Sequence, residues 1–230
     1  MGVSGGPYIV RDSSLILELD AADRNSYVSG SSTWRDLTAN NNSGTLTNSP
    51  GYSSTNLGNI VFDGVNDYIN CGVLPITSFG TSEFSVSFMI NPVIWSTLNV
   101  YGIVDCKTND TTNGWSIYHD GYAGINKINA RLGLTNNFTN NTNIKINQWN
   151  GLTFTRTNSG TINWYYNGII DGQSTNTVNL IDTQALSIGY AKTWGGYFNG
   201  NISNVQIYNR ALSAAEILQN YNQLKSRFNL

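Results

Sequence analysis

Charge is scarce in this chain of 230 residues, with 12 Lys and Arg and 14 Asp and Glu making up 11% of it, against about 25% in an average soluble domain. With a formal net charge of −2 and no basic stripe to neutralise a phosphate backbone, nucleic acid is excluded as a partner. Long apolar runs are also missing. The longest are a few residues, far below the roughly 20 of a membrane helix, so membrane insertion is not expected. The opening "MGVSGGPYIVRD" lacks the basic start and apolar core of a signal peptide, so export by the general secretory route is not expected either. Two cysteines, Cys71 and Cys106, are too few for a disulfide framework or a cysteine metal site. They read as small apolar residues in or near strands, a single bridge between them being the alternative. The one histidine, His119 in "YHD", has no serine elbow nearby and reads as a strand-end residue beside a turn. Neither a phosphate-binding glycine loop nor a His or Cys cluster for zinc is present.

What the chain does have is Gly, Asn, Ser and Thr, which punctuate short runs of alternating apolar and polar residues. That is the pattern of antiparallel strands with one face buried. In "GTINWYYNGIIDG", Ile162, Trp164 and Tyr166 alternate, and Asn167-Gly168 supplies the positive-φ pair of a type I′ turn before Ile169-Ile170 starts the return strand. "WNGLTFTRTNSG" precedes it, with Leu152 and Phe154 on one face and "TNSG" as exit turn, giving a meander. Further strands are expected at 16–19, 59–62, 68–70, 84–90, 101–105, 115–118, 130–135, 185–190 and 200–208. A dozen or so strands require two stacked sheets, so the fold class is all-β.

One segment is helical by its pattern. In "NRALSAAEILQNYNQLKSRF", Ser213 and Glu216 form a capping box, Ile217, Leu218, Tyr221 and Leu224 share a face, and Lys225 and Arg227 sit at the end that suits cations. The polar segment "TANNNSGTLTNSPGYSSTNLGN" reads as a long loop broken by one short strand. With no linker and no repeat, residues 14–230 form one domain preceded by an N-terminal arm, residues 1–13, which is expected to pack against a neighbouring chain.

Seven stretches in order, "LILELDAAD", "STWRDLTANNNSGTLTNSPGYSS", "IVFDGVNDYINCG", "FSVSFMINP", "INWYYNGIIDG", "LSIGY" and "GYFNGNISNVQIYNRALSAAEIL", closely resemble laminin-G-like domains of the concanavalin A-like lectin and glucanase superfamily. The most specific pieces are "FDGVNDYI" and "IYNRALSAAEI". The resemblance covers about residues 14–224 and implies a jelly-roll β-sandwich of two antiparallel sheets. Compact versions with "YNRALS" resemble adhesive or virion-surface modules of bacteriophages and marine bacteria. It therefore implies a non-enzymatic phage virion surface protein, on head or tail, assembled in the host cytoplasm, whose partners are other virion proteins or copies of itself. Particle decoration or weak adhesion to cell-surface glycans would be its role. A free lectin domain, or less readily a glycoside hydrolase, is the alternative, and a capsid cement without ligand is a third reading. Within the signature, Ile202, Val205 and Ile207 face the core if their strand is bulged near Asn204, and Arg210 ties down the helix start.

The hydrolase alternative rests on "LILELDAAD", where Glu18, Asp20 and Asp23 approach the E-x-D-x-x-E strand of retaining glucanases. Those enzymes need two carboxylates about 5 Å apart. Asp23 stands where the second Glu belongs, and the missing methylene withdraws its carboxyl by more than about an ångström, a displacement that can cost about 100-fold in rate. The strand also lies at the start of the chain, whereas the glucanase strand lies in mid-chain, so no residue is assigned a catalytic role. Asp63 and Asp67, four apart in one turn, are the best candidates for calcium, with shaping of the turn the preferred alternative. Trp194 in "KTWGGYFNG", Trp95 in "NPVIWSTLN" and Tyr197 are the candidate ligand-binding residues, because they sit among Gly, Asn, Ser and Thr as loop residues do. A sugar face on one ring would bury roughly 100 Å², worth about 2.5 kcal/mol. Binding entropy removes much of the total from two rings, leaving about millimolar affinity per site.

Overall fold

The computed structural model describes residues 9–74, 77–96, 99–109, 111, 113–121, 126–134, 136–181 and 184–230. Two eight-stranded antiparallel sheets stack face to face in a jelly roll. The first runs β14 (Ile169–Thr175), β13 (Thr161–Tyr166), β12 (Asn150–Arg156), β7 (Phe84–Pro92), β18 (Asn199–Tyr208), β5 (Asn59–Asp63) and β4 (Gly51–Ser53), with β1 (Leu15–Asp20) also paired to β18. The second runs β11 (Asn136–Thr139), β10 (Ile128–Leu132), β9 (Trp115–Asp120), β8 (Val100–Cys106), β15 (Ala185–Ile188), β6 (Tyr68–Val73), β3 (Gly44–Thr47) and β2 (Thr33–Trp34). A two-stranded ribbon, β16 (Tyr190–Ala191) and β17 (Gly196–Tyr197), stands apart from both. One helix, α1 (Ala214–Lys225), follows β18.

Local chemistry explains most of these elements. Asn167 and Gly168 take φ of 50° and 79°, the left-handed pair that lets β13 return into β14 without splaying the strands. In β18 the pairing with β7 slips between Ile202 and Asn204, so Ile202, Val205 and Ile207 all turn to the core. Without that extra residue, Val205 and Ile207 would face outward. The segment 38–59 holds two strands where one was expected. Its polar residues face solvent while β3 pairs with β6 in one sheet and β4 with β5 in the other, so it carries the chain between sheets.

The core between the sheets is aromatic, with Trp34, Trp115, Trp164, Phe84, Phe88 and Phe154 all essentially inaccessible. Phe79 and Phe84 stack at 4.3 Å, and the Phe84 ring also lies 5.1 Å from the Arg156 guanidinium. Arg156 continues the inward face of Leu152 and Phe154 to the end of β12. It has no buried carboxylate and instead donates to the carbonyls of Gly80, Ser82 and Val178, tying two loops to the strand. Burial lowers its pKa to about 10. Cys71 and Cys106 are buried free thiols.

The helix and the described part of the arm cover the outer face of the first sheet. Ile9 packs with Met89, Trp149, Leu224 and Phe228. Val10 N–H donates to Asn220 Oδ1 at 2.8 Å, and its carbonyl accepts from Tyr208 Oη–H at 3.0 Å. Of the arm, Ile9 and Val10 thus pack on their own domain, whereas residues 11–13 are exposed. Met1–Tyr8 lie outside the described residues. Among the described residues no helix is long and apolar enough to cross a membrane.

Arg210 fastens arm, sheet and helix together. It donates to both Glu216 oxygens at 2.7 and 2.9 Å, to Asp12 Oδ2 at 2.8 Å and to Ser14 Oγ at 2.9 Å. Glu216 at the same time completes the capping box, taking the Ser213 N–H at 2.8 Å while Ser213 Oγ accepts from Glu216 N–H. Arg210 lowers the Glu216 pKa to about 2, and the Ser14 hydroxyl followed by Arg210 does the same for Asp12. Both folded values lie below the unfolded ones, so this stabilisation is complete above about pH 4.5 and disappears as pH falls from there towards about 2. Arg210→Ala should cost about 2 kcal/mol at neutral pH, the worth of charge-assisted hydrogen bonds. Thermal melts over that acid window should then show a smaller loss in the variant than in the parent.

Candidate functional site

The ribbon of β16 and β17 lies against β8 of the second sheet, and two glycines allow it. A Cβ on Gly102 of β8 would sit 2.0 Å from the Ala191 amide nitrogen, and one on Gly196 would sit 2.1 Å from the Val100 carbonyl oxygen. Backbone can thus rest on backbone. Lys192, in the turn of the ribbon, pins it there. Its ammonium reaches Asp105 Oδ2 and the Asp105 carbonyl at 3.3 Å and also donates to the Ala185 carbonyl. Its amide donates to Asp105 Oδ2. Asp105 is fully buried, and burial pushes its carboxyl above the usual range while Lys192 pulls it back.

So held, the ribbon presents aromatic rings. Tyr190 and Tyr197 stack at 4.3 Å with planes 9° apart, and Tyr68 from β6 leans on both, at 5.4 and 6.5 Å. Trp194 rests against Tyr118 at 4.3 Å, with the Arg131 guanidinium 5.4 Å from its ring. Trp194 and Tyr197 are half-buried and line one open groove of about 450 Å³ together with Tyr101, Val100, Asn99 and the 64–65 turn.

Two of the three expected ligand-binding residues therefore meet in one groove. Trp95 does not line it. It packs against the core and stacks on His119 at 4.2 Å, and His119 in turn meets Tyr101 at 5.6 Å. Polar neighbours in sequence misled here, because the loop after β7 folds its tryptophan back onto the sandwich. His119 is buried with neither ring nitrogen partnered, and burial lowers its pKa to about 4. Tyr101, Tyr68 and Tyr190 were not foreseen. Tyr190 could have been, since "YAKTWGGY" places tyrosines on both sides of Trp194 across a glycine turn.

The carboxylates of the opening motif are committed elsewhere. Glu18, buried, receives Arg11 through both oxygens at 2.7 and 2.8 Å. Asp20 receives Arg227 at 2.9 and 3.0 Å, and Asp23 Oδ1 accepts the Asn25 amide at 2.8 Å. A charged groove of about 380 Å³ does adjoin Asp20 and Asp23, but Arg11, Arg24 and Arg227 line it with them.

Asp63 and Asp67 likewise serve their turn. Asp63 Oδ1 accepts from the amides of Val65 and Asn66 at 2.8 and 3.3 Å, and Asp67 Oδ2 accepts from the Asp63 amide at 3.2 Å. The Val65 amide leads in lowering the Asp63 pKa, and burial raises that of Asp67. Among the described residues no group of three or more His, Cys, Asp or Glu could hold a metal ion. Each carboxylate thus closes the turn through one of its two oxygens.

The profile of the concanavalin A-like lectin/glucanases superfamily, of laminin-G type, matches residues 63–218. The chain belongs to this superfamily. The matched span runs from the Asp63 turn through the groove and the ribbon into the helix. No curated protein matches the sequence. Among solved structures, this laminin-G-like domain is similar to domain 4 of AbnA, a GH43 extracellular arabinanase from Geobacillus stearothermophilus, in complex with arabinotriose. That match has a TM-score of 0.68 and 20% identity, covering 90% of this chain and 98% of the other. It is similar too to the receptor binding domain of a botulinum neurotoxin C/D mosaic serotype, with TM-score 0.71, 16% identity and coverage of 91% and 51%. A third is Trypanosoma rangeli sialidase in complex with 2,3-difluoro-KDN, with TM-score 0.70, 16% identity and coverage of 98% and 36%. The chain thus spans about half of the toxin domain and about a third of the sialidase. At these identities the likeness is one of fold.

Two outcomes are expected. Gly102→Ala should lift the ribbon, at the roughly 1–3 kcal/mol typical of overpacking, and make Trp194 more accessible to acrylamide quenching, with Trp194→Phe as the blank. Removing divalent ions with EDTA and then adding calcium should leave the melting temperature unchanged, whereas a calcium ion held at a hundred times its Kd would add about 2.7 kcal/mol.

Proposed function

We propose that this domain is a non-enzymatic glycan-adhesion module whose binding site is the groove between the ribbon and the Asp63 turn. One observation carries the reading. Trp194 and Tyr197 stand half-exposed beside Tyr101 in an open, uncharged groove, on a ribbon locked to the sheet by Lys192 and Asp105. Aromatic faces held in place bind the C–H faces of sugars without first paying to order loops. The arabinotriose complex of the arabinanase domain supports a sugar as ligand for this fold. Catalysis is set aside because Glu18, Asp20 and Asp23 are each engaged by a cation or a backbone amide. A retaining pair needs one carboxylate free to attack and another free to exchange a proton.

The setting we infer is a virion surface, in the manner of the phage modules that "IYNRALSAAEI" resembles. There, copies of the chain or other virion proteins would hold many weak sites together, and multiplicity would supply the avidity that one site lacks.

A glycan array run on the purified protein, alongside its mass in solution by light scattering, tests both parts. Trp194→Ala should lower glycan affinity at least about tenfold, the loss of roughly 1.4 kcal/mol, with melting unchanged within about 2 °C, as for a surface substitution. A protein blind to every glycan would sink the adhesion reading and leave decoration without a ligand. A monomer with strong glycan binding would favour a free lectin over a virion module.

A further inference from the structure

The chemistry of the groove walls narrows the class of sugar, given the adhesion reading above. Among the described residues, no acidic or basic side chain lines the groove. Two carboxylates belong to its surroundings, Asp63 closing the turn that supplies Gly64 and Val65 and Asp120 standing as the cross-strand partner of Val100. The Arg131 guanidinium, though close to Trp194, donates to the Leu134 carbonyl and is not part of the lining. A carboxylated, sulfated or phosphorylated sugar would therefore find no charged partner among the described residues that line the site.

The second feature is Val65. It occupies the tip of a turn whose other positions are Asp, Gly and Asn, yet it is 69% exposed and has no core to fill. The turn itself does not need an apolar residue there, since Asp63 Oδ1 holds it through the backbone amides. Val65 and Val100 give the groove an apolar wall facing the ribbon that bears Trp194 and Tyr197, and Asn99 adds a carboxamide beside them. We infer that the groove selects an uncharged sugar carrying a methyl-bearing substituent, with the ring on Trp194 or Tyr197 and the methyl against Val65. An N-acetylated hexosamine and a 6-deoxyhexose both present this chemistry, and an exposed carboxamide such as Asn99 can further pair with an acetamido group.

Matched ligands test this on the intact protein by saturation-transfer NMR and titration. Chitobiose is set against cellobiose for the acetamido source, and methyl fucoside against methyl galactoside for the deoxy source, with glucuronate and sialyllactose as anionic probes. In at least one pair the methyl-bearing sugar should bind about fourfold more tightly, the worth of one buried methylene-sized group, and the pair that shows it names the source. Val65→Ser should erase that ratio while leaving the melting temperature unchanged. Equal affinities within both pairs, a ratio untouched by Val65→Ser, or tightest binding of an anionic sugar would overturn the inference. If cellobiose or galactoside binding then still depended on Trp194, the adhesion reading would survive; if no sugar bound, both would fall.

Discussion

Two missing side chains, at Gly102 and Gly196, govern the geometry on which the groove depends. A strand in a sandwich normally offers its outer face as a row of side chains, and a second layer laid on it sits about a side chain away. Where both strands carry glycine at the crossing, the β16–β17 ribbon approaches to backbone contact, and its tyrosines and tryptophan are fixed relative to β8 and β9. The Lys192–Asp105 pair then acts at close quarters. Because Asp105 is fully buried, losing Lys192 would leave its carboxylate in the interior without a cation, so the pair resists opening more than its gross attraction suggests. The groove inherits rigidity from the sheet rather than from the loops beside it.

The low charge of the chain has a structural counterpart. Much of what charge there is holds parts of the fold together: Arg11 with Glu18, Arg227 with Asp20, Lys192 with Asp105, and Arg210 with Asp12 and Glu216. Arg156 serves carbonyls instead. Three of these pairs, Asp20 with Arg227, Asp12 with Arg210 and Asp105 with Lys192, join segments far apart in sequence, where local turns cannot act. The surface that remains is rich in amides and hydroxyls, and the lining of the groove is neutral for the same reason. Two carboxylates of the opening motif that looks like catalytic machinery are thus explained by ion pairing: Glu18 anchors the arm and Asp20 the C-terminal segment to β1.

Features written in adjacent residues were legible in the sequence. Asn167-Gly168 specified its turn, Ser213 and Glu216 their cap, and the spacing of Ile202, Val205 and Ile207 required a bulge. The groove was only half legible. Trp194 and Tyr197 could be picked out beside glycines, but Tyr101 and Val65 join them through pairings across the second sheet and the Asp63 turn, and nothing in their own neighbourhoods signals it. Trp95 failed for the complementary reason. Its ring is drawn inward to His119, which lies far along the chain and which no local pattern places beside it. The place of Ile9 was hidden similarly, since the strip that α1 and Met89 leave for it is assembled from distant parts of the chain.

These features bear on how a weak groove can be useful. On the adhesion reading, two or three rings and one valine give a single site a small contact area, and no charge adds to it, so affinity stays near millimolar. A neutral groove also loses little affinity as salt changes, because there is no ion pair to screen. Many such sites on one particle multiply the attachment while each contact still exchanges quickly, so a surface held by them can be scanned before it is committed to. Rigidity matters more in that regime than contact area. A flexible ribbon would pay an ordering cost at every site, and that cost, repeated over all copies, would cancel the gain from multiplicity. The glycine crossing and the buried Lys192–Asp105 pair remove it in advance.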